Sequence, residues 1–396
     1  HGPYELGTRR AEPPGPLATE SAPALLEQIR AEIAASGPLT FARFMAMALY
    51  DPDHGYYRVG ADRPSRGGDF LTAPELHPIF GAAIARQVDD VWRRLGRPDP
   101  FVIREYGAGS GTLAVTVLDG LRGDDSGLVD VVRYEPVEIN DVRRSEILER
   151  LGPVVRPATA AGGKPFTGVV LANEFLDALP VHRITQRDGR LLELFVDWDE
   201  AAGGLVERPG QLSTTALADR LEQDGVTLID GQVGEICLDV EPWLAAVAGD
   251  LEQGLVLVID FGHRAQALYD PVRRGGTLRA YSSQRAHGDP FIAVGRQDLT
   301  AHVDLTALEA AARADGLTVL GEVSQAELLL GCGLEELVDR ARSNPGTSME
   351  EWLRLRSAIA RLLDPAALGA FRAVLLGRGL DPEPPLIGLS RQHVPD

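Results

Sequence analysis

An α/β fold, with a mostly parallel sheet covered by helices on both faces, is predicted by three observations. Apolar runs of strand length alternate with amphipathic runs of helix length between residues 101 and 260, the pattern of repeated strand–helix–strand units. The segment FVIREYGAGSGTL, Phe101 to Leu113, carries a strand into a glycine turn that opens a helix, which is how such a sheet builds a nucleotide pocket. A chain of 396 residues with 44% hydrophobic content can bury a large core, with more than one domain or with insertions.

Residues 1–22, beginning HGPYELGTRRAEPPGP, read as a flexible leader without an apolar signal core. Helical spacing over 23–35 stops at Gly37-Pro38, and Thr40 caps a second helix, FARFMAMALY, that ends at Asp51-Pro52. The aromatic, glycine-rich stretch 54–76 has little regular pattern, and an ordered loop of that length is usually functional. A third helix covers 78–95, so 23–98 is expected to form an N-terminal helical cap region. Core strands are expected at 101–105, 129–134, 153–156, 168–172 and 255–260, with helices at 112–122 and 137–151. Residues 182–240 interrupt this rhythm with a hairpin-like RITQRDGRLLELFVDWD and read as an inserted subdomain. The core would then comprise 99–181 and 241–396, and its tail, 303–380, reads as helical.

A formal charge of -19 makes nucleic acid and anionic membrane surfaces poor partners, because phosphate binding relies on clustered cations. A basic partner is compatible with this charge, although charge alone is better explained by a merely soluble acidic protein. No apolar run approaches a membrane span. Cys237 and Cys332 lie far apart and form no C-x-x-C pair, which argues against a disulfide scaffold or a metal site and for a reducing compartment. Basic charge is almost all arginine, Lys164 being the only lysine, a hint of a GC-rich bacterial gene; with the cysteine usage, the expected location is cytoplasmic.

The glycine turn sets the ligand. Gly107, Gly109 and Gly111 alternate, so the third glycine of a dinucleotide G-x-G-x-x-G comes one residue early and Thr112 stands in its place. An acid, Glu105, two residues before such a turn points to S-adenosylmethionine rather than a nicotinamide cofactor. Backbone at Gly107, Ala108, Gly109 and Gly111 can approach the ligand closely. The helix N-terminus at Thr112 offers N–H groups to its carboxylate. Glu105 is placed for the ammonium, and Glu135, ending the second strand, for the ribose hydroxyls. Adenine recognition falls to the loop 159–164. A glycine turn alone would equally suit close helix packing; the two acids favour the cofactor. After the fourth strand, Asn173, Glu174 and Asp177 stand at the carboxyl edge of the sheet, facing the ligand crevice, although Asn173 and Asp177 also suit helix capping.

With these blocks in view, the chain resembles the MidA / DUF185 family of class I S-adenosylmethionine-dependent methyltransferases, over about Leu25 to Gly379. The resemblance rests on FMAMALYDPDHGYY (44–57), GGDFLTAPEL (67–76), EYGAGSGTL (105–113), ANEFLDALPVHR (172–183), VGEIC (233–237), IDFGH (259–263), GTLRAY (276–281) and DLTAHVD (298–304). It implies a class I, Rossmann-like fold, and a Gly68-Asp69-Phe70 segment that closes over the cofactor. His54 and His77 flank that segment and suit structural roles better than catalytic ones. The family's mitochondrial members are complex I assembly factors that dimethylate an arginine, which implies an arginine of a protein partner as acceptor.

An arginine stays charged and non-nucleophilic in water, so carboxylates must hold the guanidinium and take its proton. Glu174 is the first candidate, with Asp177 and Asp69 behind it. No metal is expected. Methyl transfer to a small-molecule biosynthetic intermediate, and a non-catalytic assembly factor that keeps the cofactor site, are the rival readings. Whether the chain forms a homodimer is left open by the sequence.

Overall fold

The computed structural model describes residues 20–59, 72–154, 165–282 and 285–391. Six strands form the central sheet, in the spatial order Thr318–Ser324, Arg372–Arg378, Leu251–Asp260, Phe166–Asn173, Phe101–Tyr106 and Val132–Val137. The last four run parallel, and the first two are antiparallel to their neighbours. Side chains alternate between two apolar layers, as strand geometry requires. Phe101, Ile103, Val169, Leu171, Leu255 and Leu257 face one layer, with helices Ile79–Arg94 and Thr112–Gly123. Val102, Val170, Val256 and Val258 face the other, under helices Val240–Asp250 and Leu305–Ala314. Helices Ile79–Arg94 and Thr112–Gly123 approach closely at two glycines. A Cβ on Gly81 would lie 2.0 Å from Thr116 Oγ1, and one on Gly120 2.7 Å from Ala82 Cα.

The N-terminal helices form at Pro23–Ser36 and Phe41–Tyr50, and the Thr40 side chain accepts from the Arg43 N–H at 3.1 Å. Three readings of the core need correction. Residues Leu128–Val131 form a helical turn, so the second strand is Val132–Val137 and ends three residues later than expected. Gly152–Val154 is a 3-10 turn, where a strand was expected at 153–156; residues 155 and 156 lie outside the described residues. The tail contributes two strands to the core sheet, Thr318–Ser324 and Arg372–Arg378, beside its helices. The second of these is buried on both faces, so its AVLL run lacks the alternation that separates strand from helix in a sequence.

Residues 182–236 supply a second sheet, ordered Leu39–Thr40, Arg190–Asp199, His182–Arg187 and Val233–Ile236, with Gly204–Gly210 also on Arg190–Asp199. The hairpin turns at Asp188-Gly189, both at positive φ (48° and 72°), the tight turn that matches strand twist. A third sheet joins Arg285–His287, Arg279–Ser282 and Asp298–Thr300. No helix among the described residues is long and apolar enough to cross a membrane.

Candidate active site

Strand Phe101–Tyr106 lies between Val132–Val137 and Phe166–Asn173, so chain connections leave it in opposite directions. The crevice at the carboxyl ends of these strands is where open parallel sheets bind ligands. A cavity of about 310 Å³ opens there, walled by Glu105 to Ser110, Thr112, Val137 to Ile139, Asn173 and Glu174. Gly107, Gly109 and Gly111 all take positive φ (67°, 55° and 74°), a conformation that side chains disfavour. At Gly111 space adds to conformation, since a Cβ there would lie 2.8 Å from the Ile147 side chain. The helix after the turn starts at Thr112, a residue that lines the cavity, and the first N–H groups of a helix have no partner within it.

Glu105 is buried, its carboxylate accepting from the Tyr134 hydroxyl at 2.6 Å. Burial pushes its pKa up to about 8, against the lowering effect of Tyr134 and with a smaller push from Glu138. An incoming ammonium would reverse that cost, so the group suits a cationic ligand.

Glu135 does not reach the cavity. It pairs with Arg104, which it opposes across the strands, at 2.8 Å, and Arg104 also binds Asp250 at 2.7 Å. Paired residues on adjacent strands share a face, and this one lies under Val240–Asp250, away from the ligand. The acid after the second strand that walls the cavity is Glu138, which accepts from the Gly109 and Asn140 N–H groups at 2.8 Å each. Burial raises its pKa while those N–H groups pull it back. Locating the true end of the second strand would have found it.

Glu174 is buried at the wall between two cavities. With Thr72 it lines both the first and a second one of about 410 Å³. Its backbone is at φ 49°, rare for a residue with a long side chain and a mark of functional sites. Oε1 accepts from the Ala73 N–H and the Asn173 amide, both at 3.3 Å. The turn after it is held by Asp260, a residue the sequence reading passed over. The fully buried Asp260 accepts from the N–H groups of Phe175, Leu176 and Asp177 at 3.1, 2.8 and 3.2 Å with one oxygen, and from Phe261 at 2.8 Å with the other. Asp177 lines the second cavity only. Gly68, Asp69, Phe70 and the loop 159–164 lie outside the described residues.

Beyond Glu174 and Asp177, the second cavity is walled by Phe261, Phe371, Tyr281 and Asp298 among others. His302 lies there too, its ring 4.3 Å from that of Phe261. Burial, His263 and the nearby Arg273 and Arg279 hold its pKa down at about 3, so it is neutral at physiological pH. His77 serves a local role, accepting from the Ile79 N–H at 3.1 Å.

The family model described as "Putative S-adenosyl-L-methionine-dependent methyltransferase" matches residues 83–323, a span that holds the glycine turn, Glu138, Glu174 and Asp298. The chain belongs to this family. A Burkholderia thailandensis protein described as a "likely methyl transferase", with S-adenosyl-homocysteine bound in its crystal structure, is 33% identical with a TM-score of 0.83, over 93% of this chain and 95% of that one. The Drosophila melanogaster protein arginine methyltransferase NDUFAF7 homolog, mitochondrial, is 29% identical over 92% of this chain and 88% of its own. The human protein arginine methyltransferase NDUFAF7, mitochondrial, is 28% identical over 78% and 74%.

The fold is that of the class I methyltransferases, and the cofactor is S-adenosylmethionine. The residues present suit it. The glycine turn would admit backbone contact, and the cavity walls carry two acids, Glu105 and Glu138, of the kind that could hold an ammonium and ribose hydroxyls.

Proposed function

We propose that this methyltransferase modifies an arginine guanidinium of a protein partner. The observation that carries the reading is Glu174, a buried carboxylate on the wall shared by the cofactor cavity and a second cavity lined by acids and aromatic rings. A planar cation with several N–H donors matches such a lining, by charge-assisted hydrogen bonds and by stacking on rings. The curated relatives named as protein arginine methyltransferases support it.

S-adenosylmethionine, when bound, supplies an electrophilic methyl group on a sulfonium. Glu174 holds the guanidinium so that one nitrogen faces that methyl. The new nitrogen–carbon bond would replace the sulfonium's sulfur–carbon bond, whose electron pair would stay on sulfur. The nitrogen then gives its proton to Glu174. Alignment of this kind lowers barriers by up to roughly 7–11 kcal/mol in favourable cases. Asp260 fixes the turn that carries Glu174, and Asp177 and Asp69 are the further candidate acids.

Residues 23–98 and 182–240 act in this reading as cap and inserted subdomain over a core of 99–181 and 241–396. The pairing of Leu39–Thr40 with Phe195 and Val196 ties the cap to the insert. The bacterial origin of the 33%-identical relative supports a bacterial source.

The test is transfer of labelled methyl from S-adenosylmethionine to arginine-containing peptides and to a lysate of the source cells, followed by acid hydrolysis. Labelled methylarginine is expected. Glu174→Gln should reduce transfer by about 100-fold or more, the usual scale for a general base, with S-adenosylhomocysteine binding retained. Full activity in that variant would remove Glu174 from the chemistry. Arg279, which lines the second cavity beside its acids, favours a second reading, an anionic small-molecule acceptor, which label confined to small molecules would establish. Cofactor binding with no labelled product would point instead to a non-catalytic assembly factor.

A further inference from the structure

Two sequence blocks, GTLRAY and DLTAHVD, have no role in the mechanism so far, and both converge on the second cavity. Strands Arg279–Ser282 and Asp298–Thr300 are antiparallel, with Arg279 opposite Thr300 and Tyr281 opposite Asp298. Opposed residues and residues two apart share a face. These four side chains therefore stand together, and all four line the cavity that Glu174 and Asp177 also line. The sheet that carries them is separate from the cofactor-binding core sheet.

A hydrogen bond links this face to the cofactor cavity. The Tyr57 ring walls the cofactor cavity and stacks on Tyr50, with centroids 5.6 Å apart and planes at 26°. Its hydroxyl donates to Asp298 at 2.6 Å, and Asp298 is buried against the second cavity. The backbone of Tyr57 is held in turn by Asn140, whose amide donates to the carbonyls of Tyr57 at 3.1 Å and Arg58 at 3.2 Å. Asn140 also caps the helix Asp141–Leu151 beside the cofactor cavity, accepting from Val142 and Arg143. Tyr57 is thus anchored at both ends, between the two cavities.

We propose that Asp298 and Tyr281 form the outer half of the acceptor seat, opposite Glu174, and that Tyr57 is a positioning residue that sets Asp298 relative to the cofactor. This rests on reading the second cavity as the acceptor site. A guanidinium offers N–H groups along several edges, so Glu174 takes the edge nearest the reacting methyl and Asp298 a second edge. Tyr281 lies beside the cation, its phenol kept protonated by burial and by the neighbouring Asp177 carboxylate.

The experiment measures labelled methyl transfer, with hydrolysis to identify the product, alongside calorimetric titration with S-adenosylhomocysteine. Asp298→Asn is expected to lower kcat/KM for the acceptor by about 10- to 100-fold, the effect of losing a hydrogen bond to a charged group. Its S-adenosylhomocysteine Kd should stay within about twofold of wild type. Tyr57→Phe, which keeps the ring, is expected to lower kcat by about tenfold without weakening S-adenosylhomocysteine; Tyr57→Ala, which removes the ring, should weaken it.

Wild-type kcat/KM in Asp298→Asn, or equal losses of acceptor turnover and S-adenosylhomocysteine affinity, would overturn the seat. Should Asp298→Asn fail to fold, Tyr57→Phe and Tyr281→Phe carry the same comparison. Methylarginine formed equally by wild type and these variants would remove the seat and leave the arginine reading intact. A different labelled product that Asp298→Asn still diminishes would do the reverse. No labelled product from the wild type would overturn both.

Discussion

Glu105→Gln isolates the group whose charge the cofactor site must control. In the empty protein the carboxyl titrates at about 8 instead of 4.5, because it is wholly buried and only Tyr134 offsets the lost solvation. That displacement disfavours the charged form by about 5 kcal/mol. At pH 7, one unit below that value, roughly a tenth of the molecules carry the charge.

An arriving ammonium favours the ionised form, so binding of S-adenosylhomocysteine at pH 7 should release a proton from most of the molecules. Affinity should rise with pH up to about 8 and then level off as far as this group is concerned. The stability sign follows from the raised value. Glu105 favours the folded empty protein fully below its unfolded pKa, and that contribution is lost as pH rises from about 4.5 through about 8. Glu105→Gln should therefore raise the unfolding midpoint of the empty protein at pH 9 relative to wild type. It should also weaken S-adenosylhomocysteine by about 10- to 100-fold.

Calorimetry at pH 7 in two buffers of different ionisation heat counts the protons, and Glu105→Gln should abolish the release. Wild-type binding with no proton release, or a Glu105→Gln variant that releases as many protons as wild type, would refute the reasoning.

Two further substitutions separate site from scaffold. Glu138→Gln should weaken S-adenosylhomocysteine by about 10- to 100-fold, whereas Glu135→Gln should leave that affinity unchanged and cost about 1–3 kcal/mol of stability through Arg104; calorimetry and urea unfolding read the two, and a reversed pattern would restore Glu135 to the ligand. Asp260→Ala orphans four backbone N–H groups at roughly 1–3 kcal/mol each. A loss of at least about 3 kcal/mol in urea unfolding is expected, and a loss below about 1 kcal/mol would mean that the turn carrying Glu174 is held by something else.

Local signals carried much of this molecule. The helix Phe41–Tyr50 was legible because Thr40 and Asp51-Pro52 punctuate it, and the hairpin at Asp188-Gly189 because its turn demands those residues. The glycine turn and the NEFLDALP block were legible for the same reason: backbone geometry at positions 107–111 and the polar run at 173–177 depend on a few adjacent residues. Strand ends were not. Val129 to Val137 is apolar enough for a strand to start at either of two places, and only pairing with Phe101–Tyr106 chose 132–137, which moved the cavity acid from Glu135 to Glu138. Pairing likewise turned two segments of the tail into the antiparallel edge of the sheet.

The sequence by itself determined the fold class, the cofactor and the identity of Glu105 and Glu174 as residues to examine, since each follows from short-range pattern. Only the tertiary structure decided which acids share a wall. Glu174, Asp298, Tyr57 and Asp260 lie up to 241 residues apart and come from cap, core and outer sheets. No periodicity within the chain records that meeting, because it is produced by the packing of separate elements and not by any one of them.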